Sequence, residues 1–214
     1  NATINLLDDT YSDHGDDENK AYAGLLCFQE LSSYNDNFTK LTVNIEKLDT
    51  TGAQSDQLFY VYKDSIISTN QPVVKGDSSI EKFFVAKVDD TYYKTLAEAV
   101  AAADNATVTL LKDVTANVTI PADKTITLDL NGNDITVNDG CAIVNKGTLT
   151  VTGSGNVTTS ANGSAAVANF PDAAVNLNGG TYSSSSWYVI KNMGGMVING
   201  PVTMKKPDGS TDTS

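Results

Sequence analysis

Four short stretches decide the reading of this chain: LDLNG (128–132), LTVTG (149–153), VNLNG (175–179) and MVING (196–200). In each, the residues two and four places before the glycine are apolar: Leu128 and Leu130, Leu149 and Val151, Val175 and Leu177, Met196 and Ile198. Side chains alternate between the two faces of a strand, so this pattern is a half-buried strand that ends at a turn. Glycine suits the turn because it adopts positive φ without steric cost. From Gly132 through Gly153 and Gly179 to Gly200 the spacings are 21, 26 and 21 residues. A period of this length with several short strands in it predicts a solenoid of stacked β-coils. Leu130, Val151, Leu177 and Ile198 are then expected to pile in one column.

A second ladder runs in phase with the first. Asn145, Asn169 and Asn192 stand in IVNKG, VANFP and IKNMG, just before successive strands. Asparagine tolerates the left-handed region at a corner. Stacked coil on coil at the strand spacing of about 4.8 Å, such side chains can hydrogen-bond along the axis.

Working outward, a coarser repeat appears. NATINLLDDT opens the chain at Asn1 and NATVTLLKDV returns at Asn105. KLTVNI from Lys40 parallels KTITLDL from Lys124, and YVYKDSIIST from Tyr60 parallels IVNKGTLTVT from Ile143. The second offset is smaller, so the first copy carries an insertion near residues 10–35. Within it, YSDHGDDENK reads as an exposed loop and AYAGLLCFQEL as a short helix or strand. Where the second copy has glycine after its strand, the first has Lys47. A start at Asn1 without methionine is expected of a mature product or a piece of a longer polypeptide. The second copy opens on YKTLAEAVAAADN, where Thr95 and Glu98 form a capping box for a helix near 95–104. Such a helix can close the end of a coil stack, whose last layer otherwise exposes strand edges and apolar core.

The stretch YKTLAEAVAAADNATVTLLKDVTANVTIPADKTITLDLNGNDITV, Tyr93 to Val137, resembles the opening of right-handed parallel β-helix modules. These are the pectin-lyase-like repeats of bacterial cell-surface and secreted proteins, with similar helices in phage fibres and decoration proteins. The resemblance extends over roughly residues 85–205. It implies an all-β fold: a right-handed parallel β-helix solenoid with a short capping α-helix over residues 85–214. A variant β-rich copy with an acidic insertion is expected to precede it over residues 1–84. If that first copy lacks a cap, its first strand is an open edge for other copies or neighbouring domains.

Composition narrows the function. The net charge of −12 disfavours nucleic acid and anionic membrane as partners, since both present like charge. No apolar run is long enough to insert in a membrane as a helix. All fourteen basic residues are lysine, so the bidentate guanidinium grip on carboxylate or phosphate is absent. Cys27 and Cys141 lack metal-ligand spacing and read as small buried residues, with a bridge between them as the alternative in an oxidising compartment.

Candidate chemistry is sparse. β-Helix lyases generally use a Lys or Arg base, often with Ca²⁺, and polygalacturonase-like hydrolases use neighbouring aspartates, a Gly-His-Gly turn and an Arg-Ile-Lys segment. None of these sets is matched in this sequence, and His14 is its one histidine. Asp129, Asp134, Asp139 and Asp172 lie in the regular coils, and Asp129 and Asp134 flank one turn. Their expected role is structural rather than paired-acid catalysis. In the insertion, Asp13, Asp16, Asp17 and Glu18 are the residues that would hold a hard cation such as Ca²⁺. Their spacing departs from an EF-hand, and a solvated acidic loop is the favoured reading. Otherwise no cofactor is expected. Trp187 and Tyr188 form the chain's notable aromatic pair. Facing inward, which is the expectation, they fill a coil. Facing outward, they stack on a sugar ring or anchor a protein, and Trp187 and Tyr188 are then the ligand-binding residues.

These readings lead to a non-catalytic extracellular surface module, an adhesin-like stalk or binding domain that meets a host or cell-surface glycan or protein. The alternatives are a virion or filament subunit (fibre or capsid decoration) and, behind it, a polysaccharide lyase or hydrolase.

Overall fold

Alternating aliphatic and polar residues fold here into short strands that stack in parallel, coil upon coil. The structure, a computed structural model, describes residues 2–6, 9–10, 26–28, 41–45, 48–49, 59–61, 73–76 and 78–205. The chain divides into two compact units, residues 1–84 with 90–93, and residues 85–89 with 94–214.

The first unit contains β1 (Ala2–Leu6), β2 (Asp9–Thr10), β3 (Leu26–Phe28), β4 (Leu41–Ile45), β5 (Leu48–Asp49), β6 (Phe59–Val61) and β7 (Val73–Gly76). β1, β4 and β7 pair in parallel, as do β2 with β5 and β3 with β6. The repeated phrase of the first copy is thus a stack of the same kind, in which Val43 and Val74 face each other in register and are buried. The inserted stretch AYAGLLCFQEL supplies a strand, β3. A 3-10 helix follows (Ser78–Phe83), and the ring of Phe84 packs 5.4 Å from that of Tyr92.

The second unit begins with β8 (Ala86–Val88); the short strand β9 (Thr91–Tyr93), which belongs to the first unit, pairs antiparallel with β7 within that unit. Helix α1 (Leu96–Ala102) starts as its sequence dictates. The Thr95 hydroxyl accepts the Glu98 N–H, and the Glu98 carboxylate accepts the Thr95 N–H. Its buried face is Leu96, Ala99 and Val100.

Three faces then repeat along the chain. The first is formed by β10 (Ala106–Leu110), β12 (Thr125–Asp129), β15 (Thr148–Thr152), β18 (Ala174–Leu177) and β21 (Gly195–Ile198). The second is β13 (Ile135–Val137), β16 (Asn156–Thr159), β19 (Thr181–Ser184) and β22 (Thr203–Lys205). The third is β11 (Val118–Ile120), β14 (Ile143–Asn145), β17 (Val167–Asn169) and β20 (Ile190–Asn192). Every coil-to-coil pair on these faces is parallel and in register, which makes a parallel β-solenoid of about four turns. β8 joins the first face antiparallel to β10.

The column of aliphatic side chains exists, with one correction. Val151, Leu177 and Ile198 are in register, but the residue beneath Val151 is Leu128, not Leu130. Leu130 is fully buried just past the end of β12, its N–H donated to Thr152 O. A shift of two residues keeps the same side chains inward, so alternation alone cannot distinguish the two registers. Each buried aliphatic of this column contributes about 2 kcal/mol.

The asparagine ladder also exists, in a different backbone conformation from the one expected. Asn145, Asn169 and Asn192 are extended residues that end strands, whereas among the described non-glycine residues positive φ falls to Asp89, Asn105, Asn131 and Asp172. Asn145 Nδ2 donates to Asn169 Oδ1 at 2.8 Å and to Ala174 O at 2.9 Å. Asn169 Nδ2 repeats the pattern, to Asn192 Oδ1 at 2.7 Å and Gly195 O at 2.9 Å. Asn145 and Asn169 are wholly buried, so these bonds are obligatory: an unpaired amide there would lose its hydration with nothing in return.

Glycine serves two needs at the strand ends. Gly153 has φ of +78°, which a side chain disfavours. Gly179 stacks over it, and a Cβ on Gly179 would lie 2.5 Å from the Gly153 carbonyl oxygen. Cys141 carries a free thiol that accepts the Ala165 N–H at 3.4 Å.

Two stability predictions arise. Asn169→Ala removes both rungs of the ladder and leaves a cavity, and should lower the unfolding free energy by about 2–4 kcal/mol in urea titrations followed by circular dichroism. Tyr182 is buried and donates its hydroxyl to Gly179 O at 3.0 Å, and burial pushes that hydroxyl's pKa well up. The neutral form stabilises the fold fully below the unfolded pKa of about 10, and that stabilisation is lost as pH rises above it. Tyr182→Phe should cost about 1 kcal/mol at neutral pH, and its deficit against the parent should shrink above pH 10 when both are melted across an alkaline series.

Candidate functional site

The corner between the second and third faces is laced with hydroxyls. Thr159 Oγ1 donates to Gly140 O at 2.7 Å. One coil on, in register with Thr159, Ser184 Oγ donates to Ser164 O at 2.7 Å. Ser185 Oγ donates to Ser160 O at 2.7 Å, and Ser160 Oγ to Asn138 Oδ1 at 2.9 Å. Ser184 Oγ also accepts the Ser186 N–H at 3.0 Å. Expected as a polar outer strand or turn, the serine run SSSS (183–186) is in part just that: Ser183 shares a bond with Thr158 on the outside at 2.8 Å. Ser184 and Ser186, by contrast, are buried.

This bonding sets the direction of the next two residues. Trp187 is 97 % exposed, and Tyr188 is exposed beside it on the loop between β19 and β20. The expectation that the pair fills the coil is therefore overturned. Ser186 and Val189 take the buried positions on either side, which leaves the aromatic residues between them on the outside. The Tyr188 hydroxyl donates to Gly163 O at 3.3 Å, tying the loop to the coil beneath. An indole in water is an unusual state for so large an apolar side chain, and it presents a free ring face to a ligand.

The acids of the coils are occupied elsewhere. Asp129 Oδ1 accepts the Asn131 N–H at 3.0 Å. Asp134 Oδ1 accepts the Asn156 N–H at 2.8 Å and its side-chain amide at 2.9 Å. Asp129 thus closes a turn, as its sequence setting implied, whereas Asp134 ties its coil to the next one. Asp172 sits at positive φ and Asp139 is exposed. Among the described residues no three His, Cys, Asp or Glu side chains converge as metal ligands do. Asp13, His14, Asp16, Asp17 and Glu18 lie outside the described residues. An open groove follows the glycine corner past Ser154, Asn178, Thr181 and Pro201. It is walled by backbone and small side chains and does not include the aromatic pair.

Because its indole supports nothing in the fold, Trp187→Ala should change the unfolding free energy by no more than about 0.5 kcal/mol in urea titration. Compared with known protein families, with curated proteins and with solved structures, the chain matches none.

Proposed function

We propose that this chain is a non-catalytic extracellular surface module, a stalk or binding domain, that meets a cell-surface glycan through Trp187 and Tyr188. The solenoid is read as the right-handed, pectin-lyase-like kind, in keeping with the strong right-handed preference of crossovers between parallel strands. One observation carries the binding reading: a fully exposed indole stands beside an exposed tyrosine on a loop pinned by hydrogen bonds to the coil beneath. A flat ring held this way takes the apolar face of a pyranose at little entropic cost, because the platform is already ordered. The acidic chain repels anionic polymers, which favours neutral sugars.

Trp187 is the chain's sole tryptophan, so its emission reports binding directly. Titration with a panel of neutral glycans should shift or quench the emission with saturable dependence. On an array, Trp187→Ala should weaken the same glycans at least tenfold. If no glycan binds and a cell-surface protein does, the pair is a protein anchor. Reproducible cleavage of a polysaccharide by the intact protein would replace this reading with an enzymatic one.

A further inference from the structure

Asparagine is followed directly by glycine at Asn131–Gly132, Asn162–Gly163, Asn178–Gly179 and Asn199–Gly200. In such a pair the glycine main-chain nitrogen can attack the asparagine side-chain carbonyl carbon, because glycine carries no side chain to obstruct the approach. The new N–C bond closes a five-membered succinimide. The side-chain nitrogen leaves as ammonia and takes the glycine N–H proton with it. Water then opens the ring. Breaking the bond to the side-chain carbonyl gives aspartate, and breaking the bond to the main-chain carbonyl gives isoaspartate. Ring closure requires that the asparagine side chain and the glycine backbone turn freely against each other.

The fold denies that freedom at three of the pairs. Gly132 N–H donates to Ser154 O at 2.6 Å and Asn131 Nδ2 donates to Leu110 O at 2.9 Å, so both reacting groups are engaged. Gly179 and Gly200 are seated on the coil beneath, where a Cβ would collide with Gly153 O and Asn178 O respectively. Asn162–Gly163 is built differently. It lies on the loop between β16 and β17, with both residues exposed. Neither the Asn162 side chain nor the Gly163 N–H has a hydrogen-bond partner among the described residues. Gly163 has φ of +73°, and a Cβ there would meet nothing within 4 Å. What Gly163 does hold is the aromatic loop, because its carbonyl oxygen accepts the Tyr188 hydroxyl at 3.3 Å.

We infer that Asn162–Gly163 is a self-modification site, which converts to aspartate and isoaspartate in the folded protein and thereby releases Tyr188 from the coil beneath. Isoaspartate routes the main chain through the Cβ of residue 162. The added methylene stands immediately before Gly163 and displaces the oxygen that holds Tyr188. Both products also place a carboxylate on the loop beside the aromatic pair. Residue 162 is exposed, so the conversion loosens this loop and leaves the buried columns of the stack intact. The inference holds whether or not the aromatic pair binds a glycan.

Ageing the full chain in mildly alkaline buffer, with digestion and peptide mass mapping at intervals, tests it. The mass gain of an amide-to-acid exchange should appear at Asn162 faster than at Asn131, Asn178 or Asn199 by about tenfold or more, since those three react only after local opening. In denaturing urea all four should convert at similar rates, because no fold remains to hold them. The sole tryptophan, Trp187, reports the loop. Its fluorescence anisotropy should fall as the folded chain ages. It should hold steady in Asn162→Gln, whose longer side chain closes a ring far more slowly. Tyr188→Phe, which lacks the tethering hydroxyl, should start at the lowered anisotropy and lose no more on ageing. Equal conversion of the four asparagines in the folded chain, an Asn162 that stays intact, or unchanged anisotropy in a chain converted at Asn162 would each overturn the inference.

Discussion

The fold rests on the requirement that a buried amide keep its partners. Asn145 and Asn169 each place a side-chain amide inside the coil stack, where water cannot reach. The side-chain donors are met by the coil above, and the oxygens accept from the adjoining turn at Asn145 and from the coil beneath at Asn169. Aliphatic columns alone tolerate slippage by two residues, since the inward faces still meet inward faces. The amide ladder does not, because its bonds run between single atoms at fixed height. Hydrophobic burial supplies most of the stabilisation and the asparagines choose the register in which it is collected.

That division of labour explains how much of the molecule is legible in its sequence. The strands of the second unit, the helix with its Thr95–Glu98 box and the phase of the asparagines all follow from local rules of period and capping. The step beneath Val151 does not. LDLNG matches the later segments as a string, yet Leu128 rather than Leu130 stands in the column, because a two-residue offset is silent in the alternation. The asparagine backbone is equally hidden: a strand end and a left-handed corner favour the same residue type for different reasons. Trp187 departs from the expectation of burial, which rests on a lone large aromatic residue being most often buried. Its direction is settled by Ser184 and Ser185, whose hydroxyls bond the coil beneath, and these contacts are far apart in sequence. Serine runs are read as generic polarity, so the signal was present but lacked an address.

The first unit applies the same scheme more loosely. β1, β4 and β7 reproduce the parallel first face, and Val43 over Val74 reproduces the aliphatic column. The tandem phrase that opens both copies therefore encodes one unit of construction, a strand that expects a similar strand beside it.

The corners of this solenoid are not equivalent. At the glycine corner, successive backbones approach so closely that Gly153 and Gly179 leave no room for a side chain. The corner between the second and third faces carries loops of differing length, and in the first unit the acidic run YSDHGDDENK of the insertion falls between β2 and β3 in the sequence. Mutational drift is thus channelled. One edge of the coil is closed by backbone contact, while at the other the loops differ in length from coil to coil and carry the exposed residues. Diversification of this chain among related lineages, or grafting of foreign epitopes onto it, would concentrate along that permissive seam.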